Sequence, residues 1–120
     1  MEAISVIGLG YVGLTTAACF AEKGVKVYGV ELAPDKLRTI SEFEPGIHEE
    51  GLKELLEKNL NRNLDVSDNL ERALNRTNVT FVCVGTPTKQ GSIDLSQVCA
   101  SIRSISACLK NKEEFHVIVI

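Results

Sequence analysis

Apolar positions along this chain fall into two kinds of run. Short unbroken ones occur at Ala3–Ile7, Val25–Val30, Leu64–Val66, Val79–Val84 and Phe115–Ile120. Their length and β-branched content predict buried strands, with Val79–Val84 buried throughout and Phe115–Ile120 buried likewise. Between them the spacing changes. Leu14, Ala17, Ala18 and Ala21 share one face of a helix over Val12–Lys23, and Gly24 stops it. Pro34 suits the first turn of a helix running to about Ser41. Leu52, Leu55, Leu56 and Leu60 mark an amphipathic helix. Asp68-x-x-Glu71 predicts a capping box that opens a short helix to about Arg76. Asp94-x-x-Gln97 predicts a further start, after which Leu95, Val98, Cys99, Ile102, Ile105 and Leu109 keep helical spacing.

Residues 42–48, with Pro45 and Gly46, and Gly85–Gly91 break both periods and read as loops. Strands alternating with helices imply an α/β domain: a doubly wound parallel sheet with right-handed crossovers and helices on both faces. The whole of 1–120 forms that one domain. Its last apolar strand is cut short by the chain end, so a piece of a longer protein is expected.

Composition narrows the partners rather than the fold. With 44% hydrophobic residues and a net charge of −3, the chain offers no basic surface for nucleic acid or an anionic membrane. No apolar stretch reaches membrane-spanning length, and the N-terminus enters a strand without a leader pattern. A cytoplasmic setting is expected. The cysteines at 19, 83, 99 and 108 make no C-x-x-C pair and sit in apolar patterns, which predicts reduced core thiols. The triplets at Asn75 and Asn78 match a glycosylation pattern that has no secretory context here.

Candidate chemistry begins at "VIGLGYVG". Gly8, Gly10 and Gly13 follow one strand directly and open a helix, and a second strand ends at Glu31. That is the context a dinucleotide-binding turn requires. Gly8 permits the tight turn, Gly10 lets backbone approach a pyrophosphate, and Gly13 lets helix and strand pack closely. Unpaired amides at the helix start favour phosphate charge, with Tyr11 and Val12 supplying backbone along the cofactor. Glu31 can accept hydrogen bonds from both ribose hydroxyls and would repel a 2′-phosphate, which predicts NAD over NADP. The alternative for Glu31 alone is a solvated strand end; the glycines in register favour the dinucleotide.

"ISVIGLGYVGL", "VYGVE" and "FVCVGTPTKQGSIDLSQV" together resemble the N-terminal NAD-binding domain of the UDP-glucose/GDP-mannose dehydrogenases, over essentially the whole chain. The resemblance implies a Rossmann-like domain and an enzyme that oxidises the C6 hydroxyl of a nucleotide sugar to a carboxylate with two NAD. It adds Lys36 near the adenosine and Thr86 of the G-T-P loop to the cofactor residues Gly8, Gly10, Tyr11, Val12, Gly13 and Glu31. It also implies a homo-oligomeric full-length enzyme whose catalytic cysteine, lysine and sugar-binding residues lie in later segments, so no catalytic residue is expected here. The sugar, UDP-glucose or GDP-mannose, stays open. Two other readings stay beside it: a dehydrogenase of the hydroxy-acid or 6-phosphogluconate type, and a nucleotide-binding module without chemistry.

The chain departs from the family pattern at Pro45-Gly46-Ile47-His48-Glu49-Glu50-Gly51-Leu52, where Glu50 stands in place of the family's proline. No role is assigned to that loop. Cys83 is discounted as a nucleophile because reactive thiols need exposure and a cationic neighbour. His48 and His116 show no paired ligand spacing, so no metal site is expected. Glu49, Glu50, Lys53, Glu54, Glu57 and Lys58 read as a solvated helix side.

Overall fold

The computed structural model describes residues 3–120. Strands and helices alternate as β1 (Ala3–Ile7), α1 (Tyr11–Glu22), β2 (Lys26–Val30), α2 (Pro34–Ser41), α3 (Leu52–Asn59), β3 (Leu64–Ser67), α4 (Leu70–Asn75) and β4 (Val79–Val82). There follow a hairpin of β5 (Thr88–Lys89) and β6 (Ser92–Ile93), then α5 (Ser96–Leu109) and β7 (Val117–Val119). The main sheet has the order β3-β2-β1-β4-β7. Every pairing in it is parallel, with Ile7 opposite Val30 and Val82 at the C-terminal ends. Strand order reverses between β1 and β4, and ligands of such sheets bind outside the strand ends at that switch.

Alternation along β1 explains the two layers. Ile4 and Val6 face a cluster with Leu14, Ala17, Ala18 and Ala21 of α1 and Leu52 and Leu56 of α3. Ile7 faces the opposite cluster, with Tyr28, Val30, Ala73, Leu74 and Ile105 beneath α4 and α5. The small side chains of α1 let it lie close to the sheet. Its end is a glycine stop: Gly24 has φ +88° and donates to Ala21, while Val25 donates to Phe20 across the turn. These two bonds satisfy carbonyls that the helix end would otherwise leave open.

Ser5 is the polar interruption in β1, and it is fully buried. Its hydroxyl lies 2.6 Å from that of Thr80 and accepts from Thr77 at 3.2 Å. Thr80 in turn lies 2.7 Å from His116 Nε2. Lys112 donates to His116 Nδ1 at 3.1 Å and to the carbonyls of Leu74 and Thr77 at the end of α4. The start of β7 is thereby tied to β4 and to α4 by polar contacts.

Several expectations need correction. β7 is exposed rather than buried, with Val119 and Phe115 39% and 84% accessible. The apolar run identified a strand correctly, but β7 lies at the edge of the sheet and pairs with β4 alone. Val79–Val84 is half-buried and its regular strand ends at Val82. Cys19 and Cys99 are exposed, because both point away from the buried stripe of their helices; Cys83 and Cys108 are partly buried. The cap of α4 is Asn69, whose side chain accepts from the Arg72 amide at 2.9 Å, one residue beyond the Asp68 expected. Gly85–Gly91 is not featureless either: Gln90 and Gly91, both at positive φ, turn a short hairpin closed by a Lys89–Asp94 ion pair at 3.1 Å.

Candidate cofactor site

The glycine turn leaves the C-terminal end of β1 beside the end of β4. Gly8 has φ +92°, and a Cβ there would lie 2.9 Å from the Cys83 carbonyl group and the Val84 amide. Only glycine fits between the two strand ends. Gly13 is more tightly placed still, since its Cβ would sit 1.7 Å from the Gly8 carbonyl oxygen. Gly10 differs in kind: its φ is −80° and nothing lies within 4 Å of an added Cβ. The protein's own packing does not require glycine at position 10, so the open side is free for a ligand. That is the cradle a diphosphate needs.

Helix α1 starts at that open side. Gly10 is its N-cap, no side chain caps it, and its first turn holds no acidic residue. The first intrahelical bond runs from Leu14 to Gly10, leaving the amides of Tyr11 and Val12 ahead of it. Both side chains are exposed at the rim. Backbone donors and the helix dipole together make an anion site of this end, provided a second element fixes the ligand's orientation.

Glu31 is that element. It follows β2 and is only 9% exposed, yet it remains hydrogen-bonded. Its Oε1 accepts from the Leu9 amide at 3.2 Å, and its Oε2 accepts from the Ala33 amide at 3.1 Å. Leu9 is itself pinned, its side chain packed on the space left by Gly29 of β2. The carboxylate thus ties the glycine turn to the end of β2. Lys36 approaches Oε1 at 3.6 Å from α2. A carboxylate has about four acceptor positions, so capacity for ribose hydroxyls remains after these contacts.

Gly8, Glu31 and Leu32 open onto a cavity of about 240 Å³, mainly apolar, whose far wall is α5. Leu70 and Val84 supply apolar wall, while Gln97, Ser101 and Ser104 line it from the helix. An apolar slot with a few polar groups is the usual form of a nucleoside pocket. Thr86 lies exposed on the loop after β4, outside that cavity but at the same edge of the sheet. The structure therefore brings together Gly8, Gly10, Gly13, Glu31 and Lys36, and leaves Tyr11, Val12 and Thr86 on the rim.

Three features escaped sequence reading. Gln97, Ser101 and Ser104 form a polar stripe at helical spacing beside Val98, Ile102 and Ile105, a pattern legible as a second face of α5. The Leu9–Glu31 bond has no sequence signal. Glu49 and Glu50, expected on the solvated side of a helix, lie instead in the loop before α3, and Glu49 receives the Tyr11 hydroxyl hydrogen bond. That bond, then the Glu49 charge, and burial last, push the Tyr11 phenol above its ordinary range. Burial pushes the Cys83 thiol up as well, which suits its reading as packing.

The family model for the NAD-binding domain of the UDP-glucose/GDP-mannose dehydrogenase family matches residues 2–120. The chain belongs to this family. Its relatives include proteins of both named kinds. The UDP-glucose 6-dehydrogenase of Haloferax volcanii is 38% identical over 97% of this chain, which covers 27% of that protein. The GDP-mannose dehydrogenase of Pseudomonas aeruginosa, solved as a ternary complex, superposes with a TM-score of 0.91. It is 34% identical over 96% of this chain and 27% of that one. The UDP-glucose dehydrogenase of Pyrobaculum islandicum gives 0.90 at 36% identity, over 98% of this chain and 28% of that one. The chain thus spans about a quarter of the length of these relatives.

Proposed function

We propose that this domain holds NAD in a nucleotide-sugar 6-dehydrogenase, at the site formed by Gly8, Gly10, Tyr11, Val12, Gly13, Glu31, Lys36 and Thr86. The observation that carries the reading is Glu31, a nearly buried carboxylate fixed beside an uncapped helix start and opening onto a cavity. The amides of Tyr11 and Val12 and the open side of Gly10 receive the diphosphate. Glu31 accepts from the adenosine ribose hydroxyls and excludes a 2′-phosphate by charge. Lys36 offsets part of the Glu31 charge from the rim. Thr86 offers a hydroxyl from the β4 side.

NAD, when bound, supplies the hydride acceptor; the residues here bind and orient it. In the whole protein, two such oxidations convert the C6 hydroxyl of a nucleotide sugar to a carboxylate, with nucleophile and sugar site supplied by segments outside this chain. Relatives named for UDP-glucose and for GDP-mannose support the class of substrate. A homo-oligomer acting in the cytoplasm goes with the same reading.

Calorimetric titration tests it. The protein is expected to bind NAD and to prefer it to NADP, and Glu31→Ala is expected to weaken NAD about tenfold or more through the loss of charged hydrogen bonds. A folded protein that ignores NAD, or prefers NADP, would sink the assignment.

A further inference from the structure

The loop between α2 and α3 carries a residue placed against the phosphate-binding turn. Glu49 is gripped from behind, where its carbonyl accepts from the Leu52 amide at the start of α3 at 3.1 Å. Phe43 and Ile47 of the same loop pack on the core, and Lys53 holds Glu44 at 2.9 Å. The Glu49 carboxylate then crosses to α1 and accepts the Tyr11 hydroxyl, bridging residues far apart in sequence. Tyr11 is the first residue of α1 and 55% exposed, so core packing does not fix its side chain. Among the described residues no cation pairs with Glu49.

We infer that Glu49 is a positioning residue for the cofactor's diphosphate, acting through the Tyr11 phenol to hold the first turn of α1 in its binding geometry. The inference rests on the proposed diphosphate site at that turn. A backbone amide can bind a phosphate oxygen well only when its direction is set in advance, and ordering it at the moment of binding costs affinity. Gly10 immediately precedes Tyr11 and is conformationally free, so this turn is where an external tether has most effect. Glu49 provides the tether from the loop that leads into α3, a helix packed on α1. Its requirement is an acceptor at that place; the negative charge opposes the diphosphate and is not needed for the grip.

Binding of NAD by the intact protein, measured by calorimetry, tests this. Tyr11→Phe and Glu49→Ala are each expected to weaken NAD about threefold to tenfold, the range set by one hydrogen bond. The double variant should be no weaker than either single one. Glu49→Gln keeps an acceptor and should stay within about twofold of the unaltered protein. The phenol titration, followed by ultraviolet difference absorbance with Tyr11→Phe as blank, should move down in Glu49→Ala, since the bond and charge that raise it are gone. Unfolding midpoints should not move, because Tyr11 is exposed and Glu49 only half-buried.

Failure of the unaltered protein to bind NAD would overturn the site reading, and this inference with it. NAD binding indifferent to Tyr11→Phe and Glu49→Ala would overturn the inference alone. So would a Glu49→Gln variant as weak as Glu49→Ala, or a lowered unfolding midpoint in the single variants.

Discussion

The glycines at 8, 10 and 13 differ in what surrounds each missing Cβ. At Gly13 an added methyl would collide with the Gly8 carbonyl at 1.7 Å, and backbone cannot yield as a side-chain tip can. Gly13→Ala is expected to cost about 2–3 kcal/mol or more of stability, as overpacking does, measured by urea unfolding. At Gly10 the space is open. Gly10→Ala should therefore lose less than about 1 kcal/mol, the difference between these residues at an N-cap, while weakening NAD in titration. The motif was legible as a spacing. Its spacing also gave each glycine a separate task; what it did not give is the backbone that closes on Gly8, which comes from Cys83 and Val84, far along the chain.

Among elements, the helices followed from apolar spacing because each buries one regular face, and the inner strands from unbroken apolar runs because both their faces are covered. Two boundary signals misled. Asp68 fits a capping pattern, but the chain enters α4 with Asn69 accepting from Arg72. Asn69→Ala is expected to lower stability by about 1 kcal/mol and Asp68→Ala by less, in the same unfolding assay. The apolar character of β7 was read as burial, although burial depends on neighbours that the run itself does not specify. Besides its ladder with β4, the start of β7 is held by the contact of His116 with Lys112 and Thr80.

That contact carries a pH dependence of definite sign. Burial first, then the Lys112 charge, hold the His116 imidazole below its ordinary range, against a smaller opposing effect of the Thr77 carbonyl. With Lys112 donating to Nδ1, the native state keeps the ring neutral, and the unfolded chain takes up a proton more readily. The stabilisation is therefore complete above about pH 6.5, the unperturbed histidine value, and is lost as pH falls through the lower native value. Unfolding midpoints measured from pH 5 to 8 are expected to fall on the acid side, and His116→Gln should flatten that limb.

Over the whole molecule, the sheet is closed at neither edge. The outer side of β7 presents unpaired backbone together with Val117, Ile118 and Val119, all partly accessible. Exposed apolar edges pair with other chains unless blunted by charge or proline. The 120-residue chain is expected to self-associate with rising concentration, and Ile118→Lys to shift it towards monomer, by sedimentation velocity. Topology itself was readable from the alternation of elements, because parallel strands need covered crossovers. The identity of the cavity wall was not: α5 reaches the site only because strand order reverses at β1 and β4.

The fit of Gly8 against Cys83 and Val84 has a mechanical side. Because an added Cβ would come within 2.9 Å of that backbone, the Gly8 turn and the end of β4 lie side by side with no side chain between them. The loop bearing Thr86 and the turn bearing Gly10 are geared together at their roots. A ligand that grips one therefore loads the other, as two jaws on one pivot.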